Sequence, residues 1–413
     1  MTTPSKAQEE SRLRQFAVKK DGVTFVNKPH LLKMLPQFYL LHLQQQLKNS
    51  EYLTLKILVY LLQSQKQVSL ELLASLMPYP IQFESRRRSL QRFLKSSALK
   101  LESLWFPLIR EILKAKFSQN QLLKLTIDRT QWRDKNVFVI SLIWDKRAIP
   151  LYWQLLDKRG SSNIEEQKSL IKPILALLKD YEVLILGDRE FGSVKLGSWL
   201  CEQQVKFVVR VKQSRYVQQE YSEYTRLSEL GLLPGTNFFL TGVTVTKQPG
   251  FGKFNVAGYW RRKYRGKGED EGWYLLTNLG SSHQALAAYK SRSGIEAMFK
   301  DCKTGGYNLE KSHASDERLK KLILLIALAY TCAVFQGQRI KRMGIQKYIG
   351  RLTELKRAAR RHSSFWIGLY GQSWVVGMEF CGEIIAELMK IRRNKLPFFQ
   401  RGLRAMTLIL RMF

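Results

Sequence analysis

LKLTIDRTQWRDKNVFVISLIWDKRAIPLYWQLLDK (residues 123–158) and VLILGDREF (residues 183–191) decide the fold. The first stretch holds three β-rich segments, KLTIDRTQW, NVFVISLIWD and IPLYWQLLDK. They are parted by Asp134-Lys135-Asn136 and by Lys146-Arg147, residue types that turn a chain. The second is a short apolar run that ends on Asp188. Asp128 stands inside one strand and Asp188 closes another. A carboxylate in an apolar strand is costly unless it is paired or bound to a metal ion, and here the feature occurs twice. Asp134, Asp145 and Asp157 fall at turns and are assigned to solvent. Glu190 follows Arg189 and is expected to point away from Asp188.

The pattern outward from these strands is regular. EEQKSLIKPILALLKDY (165–181) reads as a helix, VKLGSWLCEQQ (194–204) as another, and VKFVVRVK (205–212) as a strand. The order β-β-β-α-β-α-β, with one Asp on the first strand and one ending the fourth, predicts an α/β fold with a ribonuclease H-like core. FFLTGVTVTK (238–247), FNVAGYWRRK (254–263) and WYLLTNL (273–279) read as a β-rich insertion before the closing helices. Five regions are expected: a helical N-terminal DNA-binding region (1–120), the first part of the core (121–213), the insertion (214–280), the closing core helices (281–335) and a basic helical C-terminal region (336–413).

The N-terminal region is helical from about residue 31, the stretch before it being polar. Ser69 is an expected N-cap, and Pro78 an expected helix stop. FESRRRSLQRFLKSS (83–97) then makes a basic helix after a short turn, the outline of a helix-turn-helix. Arg86, Arg87, Arg88 and Arg92 are its candidate DNA contacts.

Charge supports that reading. The chain has 413 residues and a net charge of +34. The excess is spread, +12 over 1–124, +11 over 125–340 and +11 over 341–413, which suits a groove following a phosphate backbone. An anionic membrane surface attracts by the same charge, but a tethering tail would concentrate it. The apolar run 322–335 is shorter than the ~20 residues of a membrane span and reads as a buried helix. Four scattered cysteines, Cys201, Cys302, Cys332 and Cys381, form no C-x-x-C pair. That argues against disulfides and structural zinc and points to a reducing cytoplasm.

The sharpest local pattern is YKSRSGIEAMFKDCK (289–303). On one helix Tyr289, Arg292, Glu296, Lys300 and Lys303 would share a face. An amphipathic helix explains the spacing. It does not explain a phenol, a guanidinium, a carboxylate and two amines together, a set suited to a metal ion and to phosphate oxygens. Cutting and rejoining a phosphodiester needs hard oxygen ligands for two divalent ions, and Asp128, Asp188 and Glu296 are the candidates.

Tyr289, Arg292, Glu296 and Lys303 match the Y-x2-R-x3-E-x6-K signature of DDE insertion-sequence transposases, the cut-and-paste bacterial family whose DNA ends form hairpins. GDREF (187–191) resembles the family's second-Asp segment and TIDRTQW its first. The resemblance covers roughly residues 123–310. It implies catalysis at Asp128, Asp188 and Glu296 with two Mg²⁺ ions, Mn²⁺ serving as substitute. It implies phosphate contacts from Tyr289, Arg292, Lys300 and Lys303. Trp273, in WYLLTN, stands where the family has a Trp that stacks near a flipped-out nucleotide. Trp260 is a rival for that role, and a packed strand residue is the plain alternative.

The partners implied are double-stranded DNA, both terminal inverted repeats and target, and a second copy in a DNA-bound homodimer at the bacterial nucleoid, with no membrane. The chemistry implied is a nick by activated water, attack of the freed 3′-hydroxyl on the opposite strand to give a hairpin, its reopening, and joining to target. One departure stands out: the chain reads Arg292-Ser-Gly-Ile-Glu296 in a segment where the family often has an aromatic, and its Gly294 is a poor helix former, which puts the local helix in question. Two other readings fit the same residues, a non-catalytic repressor derived from a transposase and a ribonuclease H-like nuclease without strand transfer.

Overall fold

The computed structural model describes residues 18–19, 22–23, 35, 37–132, 135–158, 160–220, 222–262, 271–309, 312, 314–355 and 361–411. Asp134 and nearly all of the polar N-terminal stretch lie outside them. The chain divides into two units, one of residues 1–93 and 325–413 and one of residues 94–324.

The first unit is helical apart from a short antiparallel pair, Val18–Lys19 with Gly22–Val23. Its N-terminal part runs through α1 (Gln37–Gln46), α2 (Asn49–Gln65), α3 (Leu70–Leu76) and α4 (Phe83–Lys95). Leu55, Leu58 and Leu62 of α2 are fully buried, the spacing of one apolar helix face. Ser69 caps α3, its hydroxyl accepting the Leu72 N–H, and the helix stops just before Pro78. Tyr39 and Leu43 of α1 are also fully buried.

The second unit is built on a ten-stranded mixed sheet. The strands are β1 (Leu122–Trp132), β2 (Lys135–Trp144), β3 (Arg147–Leu156), β4 (Glu182–Gly187), β5 (Lys206–Arg210), β6 (Tyr216–Gln218), β7 (Thr225–Arg226), β8 (Asn237–Val245), β9 (Phe254–Tyr259) and β10 (Trp273–Thr277). Their spatial order is β3-β2-β1-β4-β5-β10-β9-β8-β6-β7. β1, β2 and β3 form an antiparallel meander, while β4 pairs parallel with both β1 and β5. β10 then joins β5 antiparallel, with Leu276 opposite Val209. The strands read as an insertion therefore prolong the same sheet.

Helices α5 (Phe106–Lys116), α6 (Ile164–Leu177), α7 (Val194–Glu202), α8 (Ser282–Lys290) and α9 (Ser293–Cys302) cover it. Residues 101–116 go with the sheet because Trp105 is fully buried and its indole N–H donates to the Pro150 carbonyl on β3 at 3.1 Å. α6 opens with a capping box, Asn163 and Glu166 each accepting the other's backbone N–H.

α10 (Asp316–Arg342) is long and apolar enough to cross a membrane, yet 83% of its apolar window is buried in the protein. It is a core helix, and Gln63 of α2 donates to its Ala329 carbonyl. α11 (Ser364–Ile391) and α12 (Leu396–Leu410) complete the first unit, with Ile340, Ile367, Val375, Met406 and Ile409 in one apolar cluster.

α9 lies across β1, β2 and β3, and a buried ion pair holds it there, Arg147 Nε to Asp301 Oδ2 at 2.7 Å. Burial pushes the Asp301 carboxyl up to about 6, against the pull of Arg147. A carboxyl raised by folding stabilises the fold fully below the ordinary carboxylate range and loses that contribution as pH rises through the raised value. Asp301→Asn cannot ionise. The stability of the unsubstituted protein relative to this variant is therefore expected to fall by about 2–3 kcal/mol between about pH 4 and pH 7. Thermal melts across that range check it, and a flat difference would show that the pair is not desolvated.

Candidate active site

The parallel pairing of β1 and β4 brings the two aspartates together. Ile127 stands opposite Gly187, so the next residue in each is an aspartate, Asp128 inside β1 and Asp188 directly after β4. Each Asp is followed by an arginine whose backbone N–H it binds. Asp128 Oδ1 accepts from Arg129 at 2.7 Å, and Asp188 Oδ1 accepts from Arg189 at 2.6 Å. These bonds fix one oxygen of each carboxylate and leave the other directed into the site.

Those free oxygens meet Arg292. Its Nη1 lies 3.0 Å from Asp128 Oδ2, its Nη2 lies 3.9 Å from Asp188 Oδ2, and Nη2 also donates to Glu296 Oε1. One guanidinium thus touches carboxylates that are 60 and 108 residues apart in sequence, on three different elements. Burial raises the pKa of Asp128, aided by the nearby Asp188 and opposed by Arg292 and the Arg129 N–H. Burial also works against the charge of Arg292, but Tyr289 and the three carboxylates outweigh it and raise its pKa. The site is built around a cation.

The polar face read as one helix is two. α8 ends at Lys290 and α9 begins at Ser293, with Arg292 at the junction. The Ser291 hydroxyl donates to the Ala288 carbonyl there, a local bond that competes with helix continuation. Tyr289 is buried, its hydroxyl pushed up to about 12 mainly by that burial. It is a support for its neighbours, with the Arg292 guanidinium 6.0 Å from its ring centre and Trp273 edge-on at 5.0 Å. Trp273 opens β10, half-buried, and pairs with Tyr259 on β9. Trp260, the rival, is also half-buried, beside Gly272. Lys300 is exposed on α9, and Lys303 at its end reaches the Gln131 carbonyl on β1 at 3.1 Å.

Gly294 has a clear structural role. A Cβ there would stand 2.8 Å from the Arg147 carbonyl oxygen, so only glycine lets the first turn of α9 lie directly on β3. The residue that put the helix in question is what seats it.

Glu190 turns to β1 and to the loop before α6. Its carboxylate takes Arg129 Nε at 2.9 Å and Nη2 at 2.8 Å, and also the Ser162 N–H and hydroxyl. The clamp ties the loop after β4 to β1 beside Asp128. The signal for it was in the sequence, an Asp-Arg pair on each strand. Among the N-terminal arginines, Arg87 pairs with Glu71 of α3 at 2.7 Å and Arg86 donates to the Met77 carbonyl. Both tie α4 to α3, which leaves Arg88 and Arg92 exposed, one turn apart.

Asp128, Asp188 and Glu296 could hold a hard divalent cation, since three carboxylates are the donor chemistry that magnesium and manganese take. As the side chains stand, no three acidic, His or Cys groups among the described residues are spaced to hold a metal ion, and the positive charge between these three is that of Arg292.

The family described as the transposase DDE domain matches residues 124–332, just over half of the chain and all three carboxylates. The chain belongs to this family. The DDE transposase domain thus begins in β1 and ends within α10. No curated protein matches the chain. A solved structure described as the cryo-EM structure of piggyBac transposase synaptic complex with hairpin DNA is similar at 12% identity, covering 82% of this chain and 76% of that one with a TM-score of 0.44.

Proposed function

We propose that this transposase cuts and rejoins double-stranded DNA at the ends of a bacterial insertion sequence, through a ribonuclease H-like core carrying the Y-R-E-K signature. The observation that supports this best is the meeting of Asp128, Asp188 and Glu296 on one guanidinium, inside the DDE domain. These three carboxylates would hold two Mg²⁺ ions, which when bound lower the pKa of water and neutralise charge on the scissile phosphate. Asp128 and Asp188 are prepared for that role by the Arg129 and Arg189 N–H groups, which hold each carboxylate in one orientation. Arg292 neutralises the cluster and lies close enough to turn to a phosphate oxygen, with Lys300 and Lys303 further along the same helix end.

In this reading the helical N-terminal region binds the terminal repeats, its exposed Arg88 and Arg92 facing DNA, and two copies pair two ends. The spread of +34 charges supplies affinity for the phosphate backbone.

The test is incubation of the purified chain with DNA carrying its element's ends and Mg²⁺, scoring nicks, hairpins and strand-transfer products. Trp273 separates a transposase from a plain nuclease in that assay. Hairpin formation needs a sharp backbone turn, and an aromatic face that receives one base offsets about 1–3 kcal/mol of its cost. Nicking needs no such turn. Trp273→Ala is expected to leave nicking near normal and slow hairpin formation by roughly ten- to a hundredfold. Loss of both steps together with a lower melting temperature would instead make Trp273 a packing residue beside Tyr289. Nicking without any hairpin or joined product would favour the nuclease reading.

A further inference from the structure

Two arginines outside the carboxylate cluster converge on a single carboxylate oxygen. Arg210 Nη2 lies 2.9 Å from Glu271 Oε1, and Arg189 Nη2 donates to the same oxygen. Arg189 follows Asp188 directly, and Arg210 ends β5, where its charge is felt by the Tyr289 hydroxyl together with those of Arg292 and Asp188. Glu271 stands two residues before Trp273. The fork is therefore tied to Asp188 on one side and to the start of β10, two residues before Trp273, on the other.

Two guanidiniums that share one oxygen form a socket for an anion with several oxygens, and a carboxylate fills it poorly. A phosphodiester offers two equivalent oxygens and suits the paired forks of arginine better. The Glu271 side chain is 40% exposed and that of Arg189 39%, whereas Arg210 is only 16% exposed, so the acid can swing away while Arg210 stays in place. We infer that Arg189 and Arg210 form a binding site for one backbone phosphate of DNA, and that Glu271 occupies this site when DNA is absent. This rests on the proposed DNA-cutting function, and it adds a competitor that DNA must displace to engage.

The inference turns on the sign of one substitution. If Glu271 only straps β10 to β5, Glu271→Gln weakens the fold and leaves DNA affinity unchanged or lower. If Glu271 competes with phosphate, the same change tightens binding by roughly tenfold, the order of one charge-assisted contact. Glu182→Gln is the control, because Glu182 of β4 pairs with Lys206 at the start of β5, the end remote from Arg210. It changes net charge equally and breaks an ion pair, yet it is expected to leave affinity nearly unmoved.

Titrations of the full chain with a labelled duplex at several salt concentrations read the effect. Arg189→Gln and Arg210→Gln should each weaken binding and reduce the salt slope by about one. Tighter binding by Glu271→Gln but not by Glu182→Gln, with the reduced slopes, supports the site. Equal effects of the two acid variants, weaker binding by Glu271→Gln, or unchanged slopes overturn it while leaving the DNA-cutting reading intact. Should Glu271→Gln fail to fold, the two arginine slopes decide alone. Failure of the unsubstituted chain to bind any duplex overturns both.

Discussion

Asp128→Ala, Asp188→Ala and Glu296→Ala are each expected to reduce DNA cleavage by about a thousandfold or more while leaving DNA binding largely intact. The proposed ions need all three carboxylates and contribute several kcal/mol to the barrier, whereas affinity comes from the basic surface. The three variants should differ in stability. Asp128 is 19% exposed and pairs with an Arg292 that is only 12% exposed, so its loss leaves a buried cation less compensated and costs about 3–5 kcal/mol. Glu296 is 58% exposed, and its loss should hardly alter the melting temperature. Cleavage assays, duplex titrations and melts on the same preparations check the set. Substantial Mg²⁺-dependent cleavage by any variant would remove that residue from the site.

Gly294→Ala is expected to act against ordinary helix propensity. On an open helix face this change stabilises by about 1 kcal/mol. Here the added methyl would press on the backbone carbonyl of Arg147 at 2.8 Å, and a backbone atom in a paired strand cannot swing aside. α9 must lift, carrying Glu296 and Arg292 away from Asp128 and straining the Arg147–Asp301 pair. A displacement of about 1 Å in a reacting group can cost on the order of a hundredfold in rate. The expected result is therefore a cleavage loss of that order with a lower melting temperature and unchanged duplex binding. A stabilised, fully active Gly294→Ala variant would show that α9 has room and that its seat on β3 does not set the geometry.

Periodicity and turn residues made most individual elements legible, from the β1–β3 meander to the Ser69 cap. Contacts between distant strands left less trace. Nothing local says that Ile127 pairs with Gly187, although that register puts the aspartates side by side, and nothing local says that β10 docks on β5. The signature from Tyr289 to Lys303 looked like one continuous face because its spacing is helical. The break at Ser291 and Arg292 depends on a side-chain bond that spacing does not reveal. Arg86 and Arg87 looked equivalent to Arg88 and Arg92 because composition cannot tell which side of a basic helix meets its neighbour. Glu271 gave no sign of its position, since its two partners lie 82 and 61 residues away.

The docking of β10 beside β5 has a consequence for how the protein is made. A ribosome completes β5 at Arg210 and must add 62 further residues before it reaches Trp273, the first residue of β10. Through that interval the growing chain carries a nearly finished mixed core whose outer strand, KFVVR, has one edge of unpaired backbone groups and three buried-type side chains in a row. Such an edge pairs readily with its copies on neighbouring chains. Output of active protein should therefore depend on how sparsely the message is translated, so that a scarce transcript yields more active protein per chain than an abundant one.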